Sequence, residues 1–275
     1  MKYLIILSVP SLVLFNFAMA QHPGLGNPIV HKISEDVYAV TNLDHSFKYG
    51  WTNAGIIFTE NSVIFIDCGM TEASAEFLWE PARKNLQGNE KIYLILTHEH
   101  CDHIFGMNVF KKKGATVIAH ELMIEFLKEW SDKYKSTMIK KLKWSQQKGD
   151  KIFGEVKLSL PDRVISQDTV LTINGETISL LSTPGHSKTQ LTVYEPKTKT
   201  LFASDVIYQG GNPNTSFGGT QEWKAWIRAL QRLKSMEIEI ICPGHGNLCG
   251  KDEIYRNIGY LQGFIKGFQS RGEYK

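Results

Sequence analysis

The sequence carries almost no excess of charge of either sign, and this limits the partners that it can bind. Its 275 residues include 31 Lys and Arg and 28 Asp and Glu, which gives a formal net charge of +3. A surplus this small, with both signs mixed along the chain, does not support nucleic-acid binding. We therefore expect a small-molecule substrate and no nucleic-acid partner.

Long apolar runs are also scarce, and the one at the start of the chain is short and interrupted. Lys2 precedes a mostly apolar stretch over residues 3–17 that contains Pro10, and Ala18-Met19-Ala20 matches a small-x-small cleavage site. The stretch is shorter than the roughly 20 apolar residues that span a bilayer. We predict a signal peptide over residues 1–20, a single domain over residues 21–275, and a periplasmic or secreted location without stable membrane insertion after cleavage.

Cysteine is rare, and the sequence does not fix its redox state. The chain has four cysteines, Cys68, Cys101, Cys242 and Cys249, and none directly follows the predicted cleavage site. A lipid-anchored protein is therefore not indicated. Disulfides are possible after export, but four cysteines allow three pairings, and four reduced, buried side chains are an equal alternative.

One segment is rich in potential metal ligands. Residues 97–103 have the sequence Thr-His-Glu-His-Cys-Asp-His and directly follow the apolar run Tyr93 to Leu96. Neutral imidazole and ionised carboxylate are ligands that zinc prefers, and a strand that opens into a loop lets neighbouring side chains converge. The alternatives are a solvated polar loop, or a helix start near Ile104 that Asp102 merely caps. The pattern favours a metal site.

Three further potential ligands, His186, Asp205 and His245, lie at the ends of predicted strands or in glycine-bearing turns. Two hairpins with the same pattern deliver carboxylates to such places. They pair Ala54–Phe58 with Val63–Asp67, and Leu191–Tyr194 with Thr200–Ser204 followed by Asp205. The remaining predicted strands are Tyr93–Leu96, Thr116–Ala119, Thr177–Leu181 and Ile238–Cys242.

Helical patterns alternate with these strands, which predicts mixed sheets with helices outside. One apolar stripe follows Thr220 as its predicted cap and comprises Trp223, Trp226, Ile227, Leu230 and Leu233; a second comprises Ile254, Ile258, Leu261 and Ile265. Residues 121–148 are helical by composition and interleave lysines with four aromatic residues. For this segment a solvated face with a packed back is favoured over a substrate or partner surface.

In their order these motifs resemble those of the metallo-β-lactamase superfamily: an early Asp at Asp67, His-x-His-x-Asp-His, a Gly-His, a bridging Asp and a late Gly-His. The resemblance covers about residues 30–250. It implies an αββα sandwich of two mixed β-sheets flanked by helices. It also implies the bridging-Asp branch with two zinc ions, although iron or manganese are alternatives. One zinc would be held by His98, His100 and His186 and the other by Asp102, His103 and His245, with Asp205 bridging them.

The resemblance further implies a hydrolase, in which a metal-bridging hydroxide attacks a small carbonyl substrate such as a lactone, an ester, a thioester or an amide. Asp102 would orient the hydroxide. Tyr208 matches a position where lactonases of the superfamily place a hydroxyl beside the substrate carbonyl, with a buried aromatic as the alternative. True β-lactamases have cysteine or serine at the Asp205 position, which makes hydrolysis of a β-lactam possible but not favoured. A mononuclear-iron persulfide dioxygenase-like oxidoreductase and a non-catalytic metal-binding accessory protein remain alternatives.

Two loops are predicted to touch the substrate. The aromatic-rich loop Asp44 to Trp51 is of the kind that folds over the metal centre in this superfamily. Gly210 to Gly219 contains four glycines but lacks the lysine and the strand-to-helix context of a phosphate loop, which indicates a flexible rim.

Overall fold

The computed structural model of the protein describes residues 22–44, 51–88 and 90–270. The predicted signal peptide lies outside these residues, and so does the 44–51 loop apart from its two end residues. None of the helices in the described ranges has the length and apolar character needed to cross a membrane.

Two mixed β-sheets form the centre of the molecule. The larger sheet has seven strands in the order β1-β2-β3-β4-β5-β6-β7, and the smaller has five in the order β12-β11-β10-β9-β8. Strands β1 to β4 pair antiparallel and β4 to β7 pair parallel, whereas β8 to β11 pair antiparallel and only β11–β12 is parallel. The strands are β1 (Ile29–Lys32), β2 (Val37–Thr41), β3 (Ala54–Thr59), β4 (Ser62–Ile66), β5 (Lys91–Ile95), β6 (Thr116–His120), β7 (Arg163–Ile165), β8 (Thr169–Ile173), β9 (Glu176–Ser182), β10 (Leu191–Glu195), β11 (Thr200–Tyr208) and β12 (Ile240–His245).

Helices cover the outer faces of both sheets. They are α1 (Glu72–Asn85), α2 (Cys101–Ile104), α3 (Met107–Lys112), α4 (Met123–Trp130), α5 (Tyr134–Lys141), α6 (Gln146–Phe153), α7 (Thr220–Lys234) and α8 (Asp252–Ser270). Helix α1 begins after Thr71, whose side chain accepts a hydrogen bond from the Ser74 N–H at 3.1 Å and so satisfies one of the free donors of the first turn.

Three apolar clusters hold these layers together. One lies between the two sheets and includes Ile64 and Ile66 of β4 packed with Val193 and Phe202 of the smaller sheet. A second joins the larger sheet to α1–α6, and a third joins the smaller sheet to α7 and α8. Strand β4 is buried along its whole length because it contributes to cores on both of its faces. This arrangement confirms the predicted αββα sandwich.

The helical predictions needed two corrections. The segment 121–148 is not one helix, because α4, α5 and the first turn of α6 divide it. Thr220 is not the cap of α7: Gly219 is the cap residue and Thr220 is the first helical residue. The Glu222 carboxylate takes over the capping role and accepts a hydrogen bond from the Gly219 N–H at 2.9 Å.

Candidate metal centre

The loop after β5 is held in place by the buried carboxylate of Asp67. Asp67 follows β4 with a left-handed φ of 61°, and it accepts hydrogen bonds of 2.8 Å from the N–H and the hydroxyl of Thr97. Its Oδ2 is also 2.8 Å from His103 Nδ1. A carboxylate at Nδ1 holds an imidazole proton there, so that the lone pair of His103 Nε2 is directed into the site once Nε2 has given up its own proton.

Three imidazole nitrogens converge to form the first group of possible ligands. His100 Nδ1 lies 3.0 Å from His98 Nε2 and 2.9 Å from His186 Nε2. Asp205 Oδ2 completes the group, 3.2 Å from His186 Nε2 and 3.9 Å from His98 Nε2. Four ligands about 2.0–2.1 Å from a tetrahedral zinc are separated by similar distances.

The second group lies beside the first and contains Asp102, His103 and His245. Asp102 Oδ2 is 3.7 Å from His103 Nε2 and 3.5 Å from His245 Nε2. His245 Nδ1 is 3.0 Å from the carbonyl oxygen of Trp51, to which it can donate while Nε2 faces the site.

Asp205 stands between the two groups. Its Oδ2 faces the first group, and its Oδ1 lies 3.1 Å from His103 Nε2 and 3.3 Å from His245 Nε2. The β12 backbone approaches Asp205 so closely that a Cβ on Gly244 would lie 2.0 Å from Asp205 Oδ1, and only glycine fits there. Asp205 lies inside β11 rather than at the end of a strand as expected, because a register irregularity at Ser204 turns the side chain toward the site.

The chemistry of this donor set fits a pair of divalent cations. Asp205 Oδ1 and His103 Nε2 are buried and have no hydrogen-bond partner among the described residues. Such atoms are rare because losing water without a replacement partner costs free energy. His100 Nδ1 also lies within 3.0 Å of both His98 Nε2 and His186 Nε2, and protons cannot pair all three nitrogens at once, whereas a cation satisfies them together.

The protonation states differ between the two groups. Burial lowers the pKa of His98 and His100 and brings that of His186 to about 3, so these imidazoles are neutral at neutral pH. Burial also acts to lower the pKa of His103 and His245, but Asp205 and Asp102 outweigh it and the pKa of both rises. For Asp205, burial is outweighed by the facing imidazoles, so the pKa of this carboxyl falls well below its usual range. Binding a cation to the second group would therefore displace protons.

Tyr208 is buried against the same site. Its hydroxyl donates a short hydrogen bond to Asp205 Oδ2, and its ring stacks on His245 with centroids 5.2 Å apart. Burial, reinforced by the Asp205 charge, raises the pKa of Tyr208 well above its usual value, so the phenol is a proton donor at neutral pH. Tyr208 also lines the cavity that opens onto the candidate metal centre.

The structure brings together all seven predicted ligands: His98, His100, Asp102, His103, His186, Asp205 and His245. The capping alternative for Asp102 is wrong, because α2 begins at Cys101, with His100 as its cap residue, and Asp102 lies within the helix. The four cysteines are free, and three of them are buried.

Some residues around the site were not predicted from the sequence, or were predicted to have a different role. Phe217, in the predicted glycine-rich rim, packs on His100 with ring centroids 4.2 Å apart. Glu99 accepts hydrogen bonds of 2.5 Å from Ser187 and Thr189, which ties together the loops carrying His100 and His186. Phe126 and Tyr134 pack against the core of the larger sheet, as the predicted packed back of segment 121–148 requires, and together with Trp130 they also line the cavity beside the site. No local pattern distinguishes them from core aromatics.

The αββα sandwich and the paired His and Asp groups define a metallo-hydrolase type of protein. Residues 50–245 match the Metallo-beta-lactamase superfamily, and the chain belongs to it. A metallo-beta-lactamase structure from Pontibacter korlensis superimposes with a TM-score of 0.68 at 23% identity, covering 86% of this chain and 99% of that one.

Two curated relatives illustrate the range of the family. The chain is 24% identical over 226 residues to the Caenorhabditis elegans Beta-lactamase-like protein 2 homolog, covering 81% of this chain and 65% of the relative. It is 28% identical over 161 residues to hydroxyacylglutathione hydrolase GloC of Haemophilus influenzae, covering 56% of this chain and 68% of that one. The chain thus spans slightly less than two thirds of the nematode protein.

A buried carboxyl next to the site gives a testable pH dependence. Burial raises the pKa of Asp44 from 3.8 to about 7, despite hydrogen bonds from the Ser74 hydroxyl and the Met70 N–H. Between these two pKa values the unfolded chain is ionised here while the folded chain keeps its proton, so this carboxyl makes stability fall as the pH rises, down to a plateau above pH 7.

We expect Asp44→Asn to abolish this loss of stability with rising pH. The Asn side chain stays neutral, and its amide oxygen can still accept a hydrogen bond from the Met70 N–H. In metal-free protein, we compare the free energy of unfolding of the variant with that of the natural chain at each pH. The difference, variant minus natural chain, should increase by up to roughly 4 kcal/mol from about pH 4 to about pH 8. Urea unfolding at several pH values measures it, with the exposed Asp36→Asn as control. A difference that stays constant with pH would contradict the assignment.

Proposed function

We propose that this chain is an exported dinuclear zinc hydrolase of small carbonyl compounds. The observation that carries the proposal is the position of Asp205, whose two oxygens face two separate groups of imidazoles, with Oδ1 left without a hydrogen-bond partner in the described part of the chain. A single cation would leave one of these groups unsatisfied. Export rests on the signal-like sequence of residues 1–20.

The seven ligands named above would hold the two ions. When bound, such ions polarise a carbonyl oxygen and lower the pKa of a coordinated water toward about 7. Hydrolysis adds water across the scissile bond: the carbonyl carbon gains a hydroxyl, its bond to oxygen, sulfur or nitrogen breaks, and the leaving atom takes up the remaining proton.

Two side chains act on the reacting groups in this proposal. Asp102 faces the second group through Oδ2, where it can accept a hydrogen bond from the attacking water and so orient it. Tyr208 is a neutral phenol at the floor of the cavity, and its hydroxyl can donate to the carbonyl oxygen as negative charge develops there. An ester or a thioester is favoured as substrate, since the relative named hydroxyacylglutathione hydrolase cleaves an acyl–sulfur bond by its name.

The test is a substrate panel on protein that begins at Gln21 and has been loaded with zinc. We expect two zinc ions per chain and hydrolysis of at least one of an aryl ester, a lactone, a thioester and a β-lactam. Iron as the sole metal, with oxygen consumption in the presence of a persulfide, would instead establish the dioxygenase alternative. Zinc binding without hydrolysis of any of the four would leave an accessory role.

Replacing Tyr208 by phenylalanine tests the proposed donor. We expect kcat for an aryl ester or lactone to fall about 10²-fold or more, in the range seen when one donor to a developing oxyanion is removed. Zinc content should change much less, because the ring and its stacking on His245 remain. Steady-state kinetics and metal analysis measure the two effects.

The matched control is Tyr194→Phe, which removes a hydroxyl that donates to the Glu237 carbonyl on the surface. That variant should keep its kcat. An unchanged kcat in Tyr208→Phe would leave Tyr208 with a packing role only.

A further inference from the structure

The candidate metal centre opens into a cavity of about 260 Å³. It is lined by His100, Asp102, Asp205 and His245 together with residues of α4, α5 and the loop before α7. A substrate whose carbonyl group reaches these ligands can therefore place a substituent against the two helices.

The part of the lining that α4 and α5 contribute is mostly aromatic and apolar, with Thr137 and Lys141 as its polar members. Phe126 and Trp130 of α4 stack with centroids 6.1 Å apart and planes 14° apart, and Trp130 meets Tyr134 of α5 edge to face at 6.0 Å. Met138 and Phe217 also line the cavity. Because neighbouring rings fix one another, little side-chain freedom remains to be lost when an apolar group binds here.

A second, larger chamber of about 560 Å³, termed the outer chamber, adjoins this inner cavity. Both chambers share Phe126, Trp130, Phe217 and Glu99. The lining of the outer chamber is more hydrophilic, because it adds three further glutamates, Glu125, Glu129 and Glu222, together with Lys188 and Ser187. The cleft therefore has one chamber rich in aromatic side chains and one richer in charged side chains, and predicted ligands line both, with His186 in the outer chamber.

Given the hydrolysis proposed above, on which this step rests, we propose that α4 and α5 form an acyl pocket for a ring-sized apolar acyl group such as arylacetyl. The two substituents of a scissile carbonyl differ in the same way as the two chambers. In an arylacetyl ester or thioester the acyl side is hydrocarbon, whereas the leaving side carries the heteroatom and becomes a polar alcohol or thiol. The inner cavity is smaller than the about 300–1,000 Å³ of sites that enclose a whole ligand, so it takes one part of the substrate.

Two neighbouring positions on α5 give a matched test of the pocket. Thr137 lines the inner cavity and Ser136 does not, although both are half-buried on the same helix. Thr137→Phe adds a ring to the cavity wall, and Ser136→Phe adds the same ring elsewhere. The probes are 4-nitrophenyl phenylacetate and 4-nitrophenyl acetate, which share one leaving group and differ only in the acyl side.

We expect the natural chain to have a kcat/KM at least about tenfold higher for the phenylacetate ester, as burial of a ring implies. Thr137→Phe should lose this preference, whereas Ser136→Phe should keep both the preference and the activity on the acetate ester. The acyl pocket would be overturned if both variants had the same preference for the phenylacetate ester, or if the natural chain had no preference. In either case, hydrolysis of the two esters would still support the proposed function.

The pocket can also be tested if no ester is hydrolysed, which would count against the proposed function alone. Phenylacetate is then titrated into each protein by calorimetry, with acetate as the reference ligand. We expect binding of phenylacetate by the natural chain and by Ser136→Phe, and at least about tenfold weaker binding by Thr137→Phe. Identical phenylacetate affinity in all three would overturn the inference. Circular dichroism and thermal unfolding establish that both variants are folded.

Discussion

Replacing Asp205 by alanine is expected to abolish occupancy of one metal position and to slow hydrolysis by several orders of magnitude. Its carboxylate faces both groups, through Oδ2 to His186 at 3.2 Å and through Oδ1 to His103 at 3.1 Å. The effect should exceed the 10–100-fold loss of metal affinity or activity that follows removal of a residue hydrogen-bonded to a metal ligand, because both proposed ions would lose their shared ligand. Metal analysis and steady-state kinetics measure both effects.

The control for this variant is Asp36→Ala, which removes an exposed carboxylate in the turn before β2. That change should leave metal content and rate unaltered, since substitutions at exposed positions have small effects. The Asp205 variant should retain its far-ultraviolet circular dichroism, because β11 is held by pairing on both sides. Full metal content and an unchanged rate in the variant would remove Asp205 from the site.

The second large effect is expected from Asp67→Asn, a change that replaces none of the seven predicted ligands. Asparagine tolerates the left-handed φ of 61° at this position. Its amide oxygen can still accept from the Thr97 N–H, which leaves the NH₂ group opposite His103 Nδ1. Nδ1 must then accept, the imidazole proton moves to Nε2, and the nitrogen that faces the site loses its free lone pair.

We expect this variant to bind zinc 10–100-fold more weakly, with a similar loss of rate at low zinc concentration. Competition with a chromophoric chelator measures the affinity. Because the defect lies in metal binding, high zinc concentration should restore most of the rate, unlike in Asp205→Ala. The same zinc affinity as in the natural chain would show that Asp67 has only a packing role.

The sequence alone was sufficient for most of the fold. Both predicted hairpins form, and the strands from β3 to β6 lie where the apolar runs placed them. These predictions succeed because hydrophobic periodicity is local and the two sheets bury nearly every apolar run that they contain. The strand boundaries were predicted less accurately. Strand β11 continues to Tyr208, since the register irregularity at Ser204 leaves no signal in the amino-acid composition.

The candidate ligands were also predictable, although their function as a metal centre stays a prediction. Histidines and carboxylates at strand ends can be recognised one by one, and the family motif gives their order. How Asp205 would face two groups could not be read from that order. It depends on a left-handed Ser204 and on the close approach of Gly244, which exist only when β11 and β12 pair.

The amino-acid sequence by itself thus determined eight of the twelve strands that the structure describes, which side chains could bind a cation, and which superfamily the chain resembles, because these depend largely on neighbouring residues. Only the tertiary structure decided what lies opposite the ligands. Phe126, Trp130 and Tyr134 have the spacing of an ordinary packed helix face, and the direction of that face is set by how α4 and α5 cross the site. The raised pKa of Asp44 is likewise a property of burial by distant segments, since desolvation depends on the whole fold and leaves no mark on the local sequence.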